Sequence, residues 1–203
     1  MQSAEIELKF PIADLAHLES LLPGLGFLLD TPRTFEHNTL YDTPTRDLRV
    51  RRQILRLRQY GSLCAITHKR QPDQQAPVDT TRYKIRIETE TAVAEGAALA
   101  EIFLQLGYTP AFIYEKYRTE WSHSTNSVTS AHLLIDETPI GNYAELEGPT
   151  AWIDQTLADL HIDPAACLTD SYGKLFLDWK QRTNSPAEHL TFAEIGTAAL
   201  SSR

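Results

Sequence analysis

Glu5-Ile6-Glu7-Leu8-Lys9-Phe10 alternates charged and apolar side chains with period two. That is the pattern of a β-strand with one packed face and one polar face, whose charges meet solvent or a cavity. The next residues change period. Ile12, Leu15, Leu18, Leu21 and Leu22 follow helical spacing, and Pro23-Gly24 supplies a stop. A strand followed by a helix opens the chain. The same unit returns at Ile85-Arg86-Ile87-Glu88-Thr89-Glu90, followed by a helix over Glu95 to Leu106 with Leu99, Ile102, Phe103 and Leu106 on one face. Moving the first unit along by 81 positions lays Glu7 on Glu88, Leu18 on Leu99, Leu22 on Phe103, Gly26 on Gly107 and Phe27 on Tyr108. Charged strand, helix and Leu-Gly-aromatic stop all fall in register, which predicts two related halves of one fold.

Six further strands are predicted, over Thr34 to Asp42, Ile54 to Tyr60, Leu63 to Lys69, Phe112 to Ser122, His132 to Glu137 and Asn142 to Glu147. Gly61-Ser62 reads as a tight hairpin, Ser122 to Ala131 as a longer one, and Gln71 to Thr81 as a mobile connection. Two helices follow the strands, over Ala151 to His161 and Asp170 to Gln181, with a turn at Asp163-Pro164 between them. Trp152, Tyr172 and Trp179 at helical spacing are read as core. Beyond Thr183 large apolar residues are few, so residues 1–182 are taken as the domain and 183–203 as a poorly ordered tail.

Strand parity gathers the charges. Seven acids (Glu5, Glu7, Glu88, Glu90, Asp136, Glu145, Glu147) and seven bases (Lys9, Arg56, Arg58, Lys69, Arg86, Lys116, Arg118) share the polar faces, while Ile6, Leu8, Phe10, Leu55, Leu57, Ile66, Ile85, Ile87, Tyr117 and Trp121 occupy the opposite ones. One reading is a solvated face of an open antiparallel sheet. The other is an α+β fold in which eight strands curl and close, helices cover the apolar exterior, and the charges line a tunnel. Charges buried in a tunnel need partners, and the near balance of acids and bases provides them. Clustered carboxylates are hard oxygen ligands for Mg²⁺ or Mn²⁺, and clustered Arg and Lys suit phosphate oxygens. A ligand with several phosphates and a divalent metal answers both sets.

Composition removes other classes. The 203 residues carry 19 Lys and Arg against 27 Asp and Glu, a net charge of −8, which argues against a nucleic-acid duplex as partner. The apolar runs are shorter than a membrane span needs and the start lacks a signal-peptide layout, so the chain is expected to be soluble and cytoplasmic. Cys64 and Cys167 lack the paired spacing of a zinc site or disulfide framework and are read as reduced core residues. The seven His lack zinc-binding spacing.

The ordered set of motifs resembles the CYTH proteins, or triphosphate tunnel metalloenzymes, which include class IV adenylyl cyclases, thiamine triphosphatases and inorganic triphosphatases. E-I-E-L-K-F matches the family's E-x-E-x-K signature. It is followed by L-Y-D-T-P at Leu40 to Pro44, L-R-L-R at Leu55 to Arg58, I-T-H-K at Ile66 to Lys69, R-I-E-T-E at Arg86 to Glu90, E-K-Y-R at Glu115 to Arg118, I-D-E-T-P-I-G at Ile135 to Gly141 and Y-A-E-L-E-G at Tyr143 to Gly148. The likeness runs over residues 4–180.

The resemblance implies an eight-stranded antiparallel closed tunnel. Lys9, Arg56, Arg58, Lys69 and Arg118 would hold a triphosphate, joined by Lys116 and Arg86. Glu5, Glu7, Glu145 and Glu147 would hold the metals, with Glu88, Glu90 and Asp136 as ligands or as organisers of bases. Glu5, Glu7, Lys9, Arg56 and Arg58 form the implied catalytic set. Asp42 lies in a matching motif, but its parity sets it apart. The implied activity is metal-assisted hydrolysis of an inorganic or organic triphosphate. The alternatives are cyclisation of ATP to cyclic AMP and pyrophosphate, and a phosphate-binding module without catalysis. Phe35, Tyr41 and Tyr143 are the candidates for an organic-group pocket, and Ser171-Tyr172 for a plug at one tunnel mouth.

Overall fold

The alternating opening stretch forms β1 (Gln2–Ile12) and its later counterpart forms β5 (Lys84–Ala92). The protein is described here from a computed structural model covering residues 2–72, 82–123 and 131–201. After β1 come α1 (Leu15–Leu21), β2 (Phe27–Asp42), α2 (Asp47–Val50), β3 (Ile54–Tyr60) and β4 (Leu63–Arg70). After β5 come α3 (Gly96–Gln105), β6 (Thr109–His123), β7 (Ala131–Thr138), β8 (Gly141–Glu147), α4 (Thr150–Asp159), α5 (Tyr172–Thr183) and α6 (Phe192–Ser201). The eight strands close into one antiparallel barrel in the order β1-β5-β4-β3-β2-β6-β7-β8.

That order carries the internal repeat. Exchanging β1 with β5, β2 with β6, β3 with β7 and β4 with β8 reproduces the same ring, so the two strand-helix-meander halves close on each other about a pseudo-two-fold axis. Gly26 and Gly107, the glycines of the two Leu-Gly-aromatic steps, both adopt φ 86°. A side chain there would be strained, so glycine ends both helices and turns the chain into β2 and β6.

The main apolar core lies outside the barrel. Leu8, Phe10, Leu133, Ile135 and Leu146 project outward from β1, β7 and β8 onto Leu18, Leu22, Ile153, Leu157 and Leu160. Each such buried side chain contributes on the order of 1.5–3 kcal/mol, which sets the polar faces inward. The solvated open-sheet reading therefore fails, because both faces of this sheet are enclosed.

β2 begins seven residues before the predicted Thr34, since its register shifts at Leu29/Thr31 and Thr31/Thr34 accommodate Pro32 as bulges. The predicted tail is also corrected. Ala187, Leu190 and Ile195 are buried with Tyr114, Tyr172 and Phe176 in a second cluster, and Leu190 exchanges backbone hydrogen bonds with Ile113 and Glu115. β6 outruns its pairing with β7, which begins at Tyr117, and the segment after α5 occupies the exposed backbone that remains. Neither cysteine is fully buried, and both are free thiols. Most of the connection Gln71 to Thr81 and of the loop Ser122 to Ala131 lies outside the described residues. Among the described residues no helix is long and apolar enough to cross a membrane.

Candidate active site

Closure of the barrel turns one parity of every strand inward. In place of an apolar core the interior holds a cavity of about 350 Å³. Seven bases (Lys9, Arg56, Arg58, Lys69, Lys84, Lys116, Arg118) and seven acids (Glu5, Glu7, Glu88, Glu90, Glu120, Glu145, Glu147) line it. The bases are held in place by acids of neighbouring strands. Arg118 places two guanidinium nitrogens 2.6 Å from the Asp136 carboxylate and also donates to Glu145 at 2.6 Å. Lys116 donates to Asp136 at 2.8 Å and lies 3.5 Å from Glu36. Lys9 sits 2.6 Å from Glu145 and 4.3 Å above the Tyr172 ring, whose hydroxyl donates to Asp136 at 2.6 Å.

On the opposite wall Lys69 bridges Glu5 and Glu88, both at 2.8 Å. Arg58 donates to Glu90 at 2.8 Å, while Arg56 reaches Thr67, Tyr114 and Glu90 at 3.1 to 3.4 Å. The Nε atoms of Arg56 and Arg58 are buried without a hydrogen-bond partner. Leaving such donors unmet costs about 1–3 kcal/mol each.

The carboxylates divide into two groups. Glu88, Glu90, Asp136 and Glu145 are each engaged by bases. Glu5, paired with Lys69, Glu7, paired with Lys84, and Glu147 bring one oxygen each to within 4.8 Å of one another. Burial and the neighbouring carboxylate of Glu5, with those of Glu145 and Glu7, push Glu147 up to about 8. Burial likewise raises Glu5, whereas at Glu7 burial is outweighed by Lys84 at 2.6 Å together with Lys9 and Lys69, which hold it down. Among the described residues no cation pairs with Glu147. Three convergent carboxylate oxygens, of which that of Glu147 has no basic partner among the described residues, fit a hard divalent cation.

Twelve of the fourteen charged residues read from parity line this cavity. Asp136 lies behind it as the clamp on Lys116 and Arg118. Arg86 is turned away: its guanidinium donates to the Ile85 carbonyl and lines a neighbouring space. Asp42 stands apart, capping the backbone N–H groups of Thr43, Leu48 and Arg49. Three charged residues were missed. Lys84 has the parity of Arg86 and Glu88 but precedes the predicted strand start, Glu120 shares the parity of Lys116 and Arg118 and could have been read with them, and Glu36 stands on a strand face with too few charged residues to attract notice.

A closed eight-stranded barrel whose interior is a charged cavity is the architecture of a triphosphate tunnel. The chain belongs to the CYTH domain family, which matches residues 3–159. Among solved structures, a candidate adenylate cyclase of Vibrio parahaemolyticus is 17% identical at a TM-score of 0.69, covering 85% of this chain and 97% of that one. A protein of Pyrococcus horikoshii OT3 is 18% identical at 0.68, with 86% and 99% covered. A candidate adenylyl cyclase of Hippeastrum, whose structure revealed a dominant triphosphatase activity, is 14% identical at 0.56, with 88% and 96% covered. At these identities the likeness is one of fold. Among curated proteins none matches this chain.

Proposed function

We propose that the protein hydrolyses a triphosphate, inorganic or organic, with Mg²⁺ or Mn²⁺ held by Glu5, Glu7 and Glu147. The observation that carries this reading is a single cavity in which the oxygens of Glu5, Glu7 and Glu147 converge to within 4.8 Å and which Arg56, Arg58, Lys69, Lys116 and Arg118 also line. When bound, the cation offsets phosphate charge and lowers the pKa of a coordinated water.

The side chains supply the rest. Arg56, Arg58, Lys69, Lys116 and Arg118 donate charge-assisted hydrogen bonds to phosphate oxygens and stabilise charge that develops as the phosphoanhydride bond breaks. Asp136, Glu145 and Glu90 fix those bases before substrate arrives, so little reorganisation accompanies the reaction. Lys9, 1% exposed between Glu145 and Tyr172, remains charged against its burial because Glu145 lies beside it. The triphosphatase activity named for the Hippeastrum protein supports hydrolysis over cyclisation.

The test is product analysis with inorganic triphosphate, thiamine triphosphate and ATP in Mg²⁺ or Mn²⁺. Orthophosphate release is the expected outcome, reduced at least about a hundredfold in Arg56→Ala, which loses a preorganised donor to the transferring group. Cyclic AMP with pyrophosphate would replace hydrolysis by cyclisation. If no substrate is consumed and Glu147→Ala leaves metal binding unchanged, the assignment fails.

A further inference from the structure

The cavity draws its lining from all eight strands and from one place outside them, Ser171-Tyr172-Gly173 at the start of α5. Tyr172 is the large side chain of the three, and it is buried. Its position is set from three sides. Leu168 exchanges both backbone hydrogen bonds with Lys9 of β1, at 2.7 and 3.1 Å, and Lys9 Nζ donates to the Asp170 carbonyl at 3.3 Å. Ser171 caps α5 by accepting from the Lys174 N–H. Beyond α5, Ala187, Leu190 and Ile195 complete the apolar cluster in which Tyr172 packs with Tyr114 and Phe176.

Hydroxyl and ring act on different groups. The hydroxyl donates at 2.6 Å to Oδ2 of Asp136, the oxygen that also receives Lys116 at 2.8 Å and an Arg118 nitrogen at 2.6 Å, while Oδ1 receives Arg118 Nε. Asp136 is fully buried, so a single carboxylate aims two bases of the cavity wall, and Tyr172 is the neutral donor that fixes its orientation. Burial, with Asp136 and Glu145 nearby, pushes the phenol well above its usual range, so it keeps the proton it donates. A third cation in its place would repel Lys116 and Arg118. The ring lies 4.3 Å from Lys9 Nζ and 5.0 Å from Lys116 Nζ, distances at which an aromatic face attracts an ammonium group. One side chain from α5 thus bears on Lys9, on Lys116 and, through Asp136, on Arg118.

We propose that Tyr172 is a positioning residue of the active site: its hydroxyl holds Asp136 so that Lys116 and Arg118 face the transferring phosphoryl group, and its ring steadies Lys9 and Lys116. This rests on the tunnel's reading as a site of triphosphate hydrolysis. Acting through Asp136, the hydroxyl is felt most where the preset direction of the bases counts most, which is the transition state.

Steady-state hydrolysis of inorganic triphosphate with Mg²⁺, together with the melting temperature of each variant, tests the proposal. Tyr172→Phe keeps the ring and should lower kcat at least about tenfold while changing KM less than about threefold. Tyr172→Leu, which also removes the ring from Lys9 and Lys116, should lower kcat further and raise KM. Phe176→Leu serves as the packing control, because Phe176 lies in the same cluster and meets Phe112 and Trp179. It should lower the melting temperature and leave kcat within about twofold. An unchanged kcat in Tyr172→Phe overturns the proposal, as does a raised KM with kcat intact, which would make the hydroxyl a substrate-binding group. Equal losses of kcat in Tyr172→Phe and Phe176→Leu overturn it too, since packing alone would then account for both. So does a Tyr172→Phe protein that does not fold, because a positioning hydroxyl leaves phenylalanine able to pack there. Failure of the hydrolase reading shows separately, as unmodified protein that releases no phosphate, and it removes this role as well.

Discussion

Glu36 and Glu147 both lie on inward parities of the barrel, and their neighbours drive them in opposite directions. Glu36 is fully buried, yet Lys116, Arg118, Arg56 and Arg58 outweigh its burial and hold it at about 2. A carboxylate whose folded pKa lies below its unfolded value of 4.5 stabilises the fold above pH 4.5, and that contribution is lost as pH falls from 4.5 through about 2. The difference corresponds to roughly 3 kcal/mol. In Glu36→Gln, denaturant titrations should therefore show lower stability at neutral pH and a flatter decline between pH 4.5 and 2. A decline as steep as that of the unmodified protein would remove Glu36 from the account. Glu147 has acids where Glu36 has bases, so its removal relieves repulsion. Glu147→Gln should melt about 2–4 °C higher in metal-free buffer, the size of a 1 kcal/mol gain in a chain of this length, while losing phosphate release. An unchanged or lower melting temperature would contradict the burial and repulsion assigned to Glu147.

At the scale of elements, the strands were legible because one face of each had to be charged and the other apolar. Period two then assigns every inward residue from any one of them. That rule fails in two places for physical reasons. Lys84 sits one residue before an alternating run that becomes visible only at Ile85, and Arg86 obeys parity while its long side chain bends to the Ile85 carbonyl. The C-terminal segment was illegible because it is neither periodic nor strongly apolar. Its contribution comes from Ala187, Leu190 and Ile195 meeting α5 across a gap that exists only once β6 has outrun β7. If that segment closes the barrel, Leu190→Ala should cost about 2–5 kcal/mol in urea unfolding, as for other fully buried leucines. A cost below 1 kcal/mol would return the segment to the status of a tail.

Across the whole molecule, the cavity's seven bases and seven acids make it close to neutral before any ligand enters. A triphosphate alone adds several negative charges beside Glu5, Glu7 and Glu147, and a divalent cation alone meets Lys69 and Lys84 next to its ligands. Each ligand therefore enters more easily with the other, since together they restore the balance that either upsets. Binding to the folded state raises the melting temperature in proportion to the logarithm of ligand over its dissociation constant, so this coupling is measurable without turnover. With Ca²⁺ as a slowly reacting cation, triphosphate and metal together should raise the melting point by roughly 5–10 °C, more than the sum of their separate effects. Glu147→Gln should reduce the pair to simple addition, because the cation is then no longer drawn to an unpaired carboxylate. Strict additivity in the unmodified protein would mean that the acidic triad and the basic wall act as separate sites, and that the cavity does not gather metal and phosphate into one complex.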